Sequence, residues 1–148
     1  MKFDASLHKC AIIVEKTLSP GLAINAASVI GVSLGRRVEN LVGPEMQSKD
    51  GVVYPGVIYA PLPILLTQEE SLTTTLSRAI ADPDILVMPF STLAQSCKTY
   101  EEYGERIAQA RSESIDLAAV GLLGPKKKIN KLTGHLPLYR LSANLPGS

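Results

Sequence analysis

Two uninterrupted apolar runs constrain this chain most: Cys10–Val14 (Cys-Ala-Ile-Ile-Val) and Leu117–Leu123 (Leu-Ala-Ala-Val-Gly-Leu-Leu). A strand with one wet face alternates apolar and polar side chains, whereas a run with no polar position must be covered on both faces. Any fold therefore has to put layers above and below a sheet that carries these two segments in its interior. With 148 residues the chain is long enough for one such core, and a single domain over 1–148 is expected.

The covering layers are visible as helix patterns. Ser19-Pro20-Gly21 marks a helix start, with a serine placed to cap free backbone donors and a proline preset for the first turn. That helix is expected to run to about Leu34. Its Ala23, Ala26 and Ala27 mix with Ile24, Val29, Ile30 and Val32 almost all round, leaving only a strip with Asn25 and Ser28. A helix this apolar is covered on more than one side, by a sheet and by a second copy of the chain, so a homodimer is expected. Thr67 with Glu70 matches a capping box, and Leu72, Leu76, Ala79 and Ile80 recur at helical spacing, which predicts a helix over 68–81. Thr99 with Glu102 repeats the box, and the helix after it carries Tyr100, Tyr103, Ile107 and Ala110 on one face, a stripe read as core.

The remaining segments read as connections and flanking strands. Asp50-Gly51, between Leu41-Val42 and Val52-Val53, predicts a small hairpin or irregular excursion. Val57–Leu66 is apolar, but Pro61 and Pro63 confine it to a sheet edge or an extended strap. Ile85–Met88 is the next buried strand, and the chain turns at Pro89–Ser91 into a short helical piece through Cys97. Lys126–Leu132 forms a basic turn or helix and Leu136–Leu141 a terminal strand, and the last seven residues are expected to fray. The alternation predicts an α/β fold, a small mixed β-sheet with helices on both faces.

Composition excludes several classes. Fifteen Lys and Arg against fourteen Asp and Glu leave a charge of +1, so no global field draws the chain to nucleic acid or anionic lipid. Two cysteines without Cys-x-x-Cys spacing, beside two histidines, make neither a disulfide framework nor a familiar zinc site. No metal or cofactor is expected, and a reducing cytoplasm is the simpler compartment. Residues 17–35 carry no charge, but Pro20, Asn25 and four hydroxyl residues leave them too polar for a membrane span. His8, Lys9 and Glu15 break the early apolar run, against a signal-peptide order.

Gly124-Pro125-Lys126-Lys127-Lys128-Ile129-Asn130-Lys131-Leu132-Thr133-Gly134-His135-Leu136 resembles the carboxy-terminal signature of peptidyl-tRNA hydrolase type 2, a Gly-Pro, a short helix and Thr-Gly-His-Leu. Lys9–Ala27 resembles that family's opening unit, with Gly21, Ala26 and Ala27 at matching places. The resemblance implies a small mixed sheet with helices on both faces, commonly dimeric, and a tRNA substrate. In overall pattern, including the proline strap, Ala94-Gln95-Ser96-Cys97 and the Gly-Pro-Lys-Lys ending, the chain is similar to an uncharacterised domain-of-unknown-function family, the two-thousand family, related to that hydrolase. The hydrolases carry Gly-Lys-Gly-Lys where their first helix begins, and here Gly21-Leu22-Ala23-Ile24 stands instead, so neither lysine charge is available. Their Asp-Ala-Gly motif is also replaced, by Ser112–Asp116. The expectation is a relative without the catalytic lysines that binds a ligand or partner through the same cleft; the alternative is a divergent hydrolase of peptidyl-tRNA or related esters.

Candidate residues follow from chemistry. His135, in the Thr-Gly-His-Leu turn, is either a proton shuttle or a turn-stabilising residue. Cys97 is either a nucleophile paired with His135 or an inert apolar residue. Lys126, Lys127, Lys128 and Lys131 form the densest positive patch, suited to phosphate contacts and equally to an ordinary solvated helix face. The helix start at Ser19 and Gly21 offers free donors for an anion, with Glu15, Lys16 and Asn25 as neighbours. A small anionic ligand or tRNA is the partner these groups suggest.

Overall fold

The computed structural model describes residues 1–141, so the fraying expected of the last seven residues lies outside the described residues. The chain runs β1 (His8–Val14), α1 (Pro20–Arg37), β2 (Met46–Gln47), β3 (Val53–Tyr54), β4 (Ile64–Leu66), α2 (Leu72–Ile80), β5 (Leu86–Ser91), α3 (Thr92–Ser96), α4 (Tyr100–Gln109), β6 (Leu117–Pro125) and α5 (Lys126–Thr133). The strands β4, β1, β6 and β5 pair in that order in one mixed sheet, while β2 and β3 form a separate hairpin.

Both apolar runs lie inside the sheet. β1 pairs with β6 from His8 opposite Pro125 to Val14 opposite Ala119, and Cys10–Val14 are between 0 and 1% exposed. On one face, Cys10, Ile12, Val14, Ala119 and Leu123 meet Ala23, Ala26, Ile30 and Leu34 of α1. On the other, Ala11, Ile13, Val120 and Leu122 meet Leu72 and Ala79 of α2 and Ile129 and Leu132 of α5. Each large aliphatic side chain so enclosed contributes roughly 1.5–3 kcal/mol, which makes these two layers the main source of stability. Gly121 lets α1 approach closely, because a Cβ there would stand 2.5 Å from Ile30 Cγ2.

Strand direction positions everything that follows. β1 is parallel to β4 and antiparallel to β6, and β6 is antiparallel to β5. Hence β4, β1 and β5 point the same way, and α1, α2 and α3 all begin at one end of the sheet.

Several expectations are corrected. α1 continues to Arg37, three residues past Leu34, with Arg36 and Arg37 in the last turn complementing the helix dipole; Ser19 makes no side-chain cap bond. α2 begins at Leu72 rather than 68, because Ser71 is the cap and its hydroxyl accepts from Thr74 N. Thr67 is instead buried beside β1, and Glu70 is paired with Arg78 at 2.9 Å. Thr99 does cap α4, accepting from Glu102 N. The tyrosine stripe is not core: Tyr100 is 84% exposed and no residue of α4 is buried. β5 runs on through Pro89 to Ser91, a proline position that a strand at the sheet edge tolerates. The terminal strand shrinks to one bridge between Leu138 and Leu65, flanked by Leu66 N donating to Pro137 O and Tyr139 N to Ile64 O. No helix among the described residues is long and apolar enough to cross a membrane.

Candidate functional site

α1 and α2 leave the C-terminal ends of the neighbouring strands β1 and β4 toward opposite faces of the sheet. In open α/β sheets this divergence opens a crevice at the strand ends, and ligands bind there. Here the crevice has a volume of 400 Å³ and takes residues from four segments: Glu15 and Thr17 after β1, Ser71 and Thr73 at the start of α2, Thr92 at the start of α3, and Asp116 before β6.

Hydrogen bonds brace these segments against one another. Glu15 N donates to Ala118 O at 2.9 Å, holding the exit of β1 against β6. Thr67, 3% exposed, is the junction to β4: its Oγ1 accepts from Lys16 N at 3.0 Å and donates to Glu15 Oε1 at 3.4 Å. Thr17 N also donates to Glu15 Oε1, at 3.4 Å. Across the crevice, Thr92 donates to Asp116 O through both N (2.9 Å) and Oγ1 (3.3 Å), tying the start of α3 to the start of β6. The lining therefore combines two acidic residues, several hydroxyl-bearing ones and Leu18, Leu72 and Leu117 on braced backbone, and no lysine or arginine belongs to it.

Residues 8–140, from the first residue of β1 to just past the segment that closes β4, match the family model described as protein of unknown function (DUF2000). The chain belongs to the DUF2000 family. The structure of a protein of unknown function from Agrobacterium tumefaciens str. C58 is similar, with a TM-score of 0.76 and 16% identity over 90% of this chain and 98% of that one. At that identity the likeness speaks for the fold. No curated protein matches.

This DUF2000 chain distributes the sequence-derived candidates over both ends of its sheet. Glu15 is in the crevice. Lys16 stands beside it, but its ammonium donates to Gln68 O at 2.9 Å, turned toward the loop before α2. Ser19 and Gly21 are exposed at the start of α1, and Asn25 Oδ1 accepts from Gln95 Nε2 at 3.1 Å while the same amide donates to Leu22 O at 2.9 Å. That bond makes Asn25 a brace between α1 and α3.

The lysines lie at the opposite end. α5 begins where Lys126 N donates to Leu7 O, so it starts beside the first residue of β1. Seven residues of strand put that point about 20 Å from Glu15, at ~3.3 Å per residue. Lys126, Lys127 and Lys131 are exposed, whereas Lys128 is held by Asp82 at 2.9 Å and Asp84 at 2.8 Å. The hydrogen bonds that Lys128 donates to Asp84 and then Asp82 raise its pKa, and the bond from Lys128 lowers that of Asp82. Its charge is thus neutralised within the fold.

His135 is exposed after α5, two residues before Pro137, whose carbonyl is bound by Leu66 N. Cys97 Sγ donates to Leu93 O at 3.2 Å and lies 3.8 Å from an Arg106 nitrogen; the pairing with His135 is not made. The sequence reading missed Thr17, Ser71, Thr73, Thr92 and Asp116. Their shared signal is a hydroxyl or carboxylate next to a strand boundary or a helix start.

Proposed function

We propose that this DUF2000 chain is a small-molecule-binding domain on a peptidyl-tRNA hydrolase type 2-like scaffold, and that its site is the crevice between Glu15 and Asp116. The observation that carries the reading is the convergence of three strand ends and the entry to a fourth on one cavity of 400 Å³ with a braced lining that mixes acidic, hydroxyl and leucine side chains. The scaffold reading is supported by the positions that match the hydrolase signature, since Gly124 packs against Ile85 and Gly134 N bonds to Asn130 O. Leu22 and Ile24, at the two lysine positions of that family, are 44 and 64% exposed aliphatic side chains, which supports binding over the ancestral reaction.

Charge selects the ligand. Glu15 and Asp116 bring two full negative charges, whereas a helix start brings at most about half a positive one, and α2 and α3 are short. The balance favours a cation, which moves the ligand preference away from the phosphate suggested by the lysines. A ceiling of about 1.5 kcal/mol per non-hydrogen atom gives methylammonium a Kd of roughly 6 mM at best, so amide-resolved NMR titration is the suitable assay. Saturable shifts with methylammonium and none with inorganic phosphate are expected, and Asp116→Asn weakens binding by the factor of about 1.4–5 that an exposed ion pair supplies. Saturation by phosphate, or no saturation by methylammonium, contradicts the reading.

We further propose that the outer face of α1 pairs with a second copy. Ile24 and Val32 remain exposed there, at 64 and 75%, on a helix whose other face is already packed on the sheet. Light scattering at micromolar concentration is expected to give a dimer mass, and a monomer mass removes this reading.

A further inference from the structure

The crevice has a second cavity next to it. Thr73 and Leu117, which line the crevice, also line this chamber of 280 Å³ whose walls are mainly apolar: Leu76 of α2, Pro89 of β5, Tyr103 and Ile107 of α4, and Ile115. Crevice and apolar chamber thus adjoin, with Thr73 and Leu117 common to both linings.

The chamber also accounts for α4. This helix is capped and amphipathic, yet none of its residues is buried, and Tyr103 and Ile107 are left half-buried over the chamber rather than sealed against the sheet. An apolar helix face facing a cavity next to two carboxylates fits a ligand with one charged and one apolar end.

We propose that the ligand of this crevice is a small ammonium compound carrying one ring or branched alkyl group, its nitrogen between Glu15 and Asp116 and its apolar group in the chamber under Tyr103 and Ile107. This rests on the crevice being the binding site. Size limits the apolar group: a cavity of about 150 Å³ accommodates benzene, so 280 Å³ takes one phenyl or isobutyl group with its linking methylene. Neutral apolar molecules lack the charge that the carboxylates select, and methylammonium lacks the group that the chamber excludes from water.

The test uses the full chain and three probes, benzylammonium, methylammonium and benzyl alcohol, titrated by NMR. Benzylammonium is expected to bind at least roughly tenfold more tightly than methylammonium, from the apolar area removed from water, and more tightly than benzyl alcohol. Ile107→Gln, on a helix with no buried residue, and Ser112→Phe, which fills the chamber from an exposed position, should each remove the benzyl advantage and keep the methylammonium affinity. Equal affinities for benzylammonium and methylammonium, or a benzyl advantage that survives both substitutions, overturn the chamber while the crevice reading stands. Benzyl alcohol binding as tightly as benzylammonium overturns the role of the charge. If methylammonium itself fails to bind, the crevice reading falls and this inference with it.

Discussion

Replacing Gly121 by alanine tests the closest contact in the fold. The new Cβ would stand 2.5 Å from Ile30 Cγ2, where ordinary van der Waals contact is 3.4–4 Å, so about 1 Å must be found between β6 and α1. There is little to yield: Ile30 is 2% exposed and Ala26 and Ala119, in the same layer, are fully buried. Overpacking of this kind costs about 1–3 kcal/mol. Against it, alanine restricts the unfolded chain by about 0.4–1 kcal/mol, leaving a net loss of roughly 0–2.6 kcal/mol. Ile30→Ala alone opens a cavity and costs about 2–5 kcal/mol. In the double variant the methyl group added by Gly121→Ala enters that space, so the two losses fall short of their sum by at least about 1 kcal/mol, as expected for residues in contact. Guanidinium unfolding followed by far-UV circular dichroism gives all three values if the slope stays constant. A Gly121→Ala protein more stable than the parent, or an additive cycle, would refute the packing of α1 on β6 at this point.

Thr67→Val keeps the shape of a buried residue but leaves Lys16 N without its acceptor, which at about 1–2 kcal/mol lowers the Tm by roughly 3–8 °C; an unchanged Tm contradicts the bracing role of Thr67. Lys128→Met removes the partner that holds Asp82 below the ordinary carboxylate value of 3.8. A lowered carboxyl stabilises the fold fully above that value and ceases to as pH falls through its folded pKa, so the stability gap between parent and variant should be constant near neutrality and shrink as the pH falls below the ordinary carboxylate value. Denaturant titrations at both ends check this, and a gap that does not shrink contradicts it. With Leu22 and Ile24 in place of the hydrolase lysines, peptidyl-tRNA should release no tRNA above a buffer blank, and turnover in that assay would restore the hydrolase alternative.

The central strands were legible because a segment covered on both faces has to be apolar at every position, and Cys10–Val14 and Leu117–Leu123 satisfy that without help from the rest of the chain. The start of α2 was not, since Thr67 with Glu70 obeys the local capping rule as well as Ser71 does. What separates them is tertiary: Lys16 N, 51 residues away, takes the Thr67 hydroxyl. The periodicity of Tyr100, Tyr103 and Ile107 reported an apolar face correctly but carried nothing about what covers it. Lys126–Lys131 was visible as a patch, while the carboxylates that neutralise Lys128 sit in the turn before β5. The crevice itself was the hardest to see. Thr17, Ser71, Thr92 and Asp116 are single polar residues in separate segments, and only the common direction of β1, β4 and β5 assembles them.

A crystal of the full chain soaked with benzylammonium tests the central claim most directly. The account predicts difference density with the nitrogen between the Glu15 and Asp116 carboxylates and the ring toward Ile107. Density instead at the exposed lysines of α5 or at the start of α1, with the crevice empty, would contradict it.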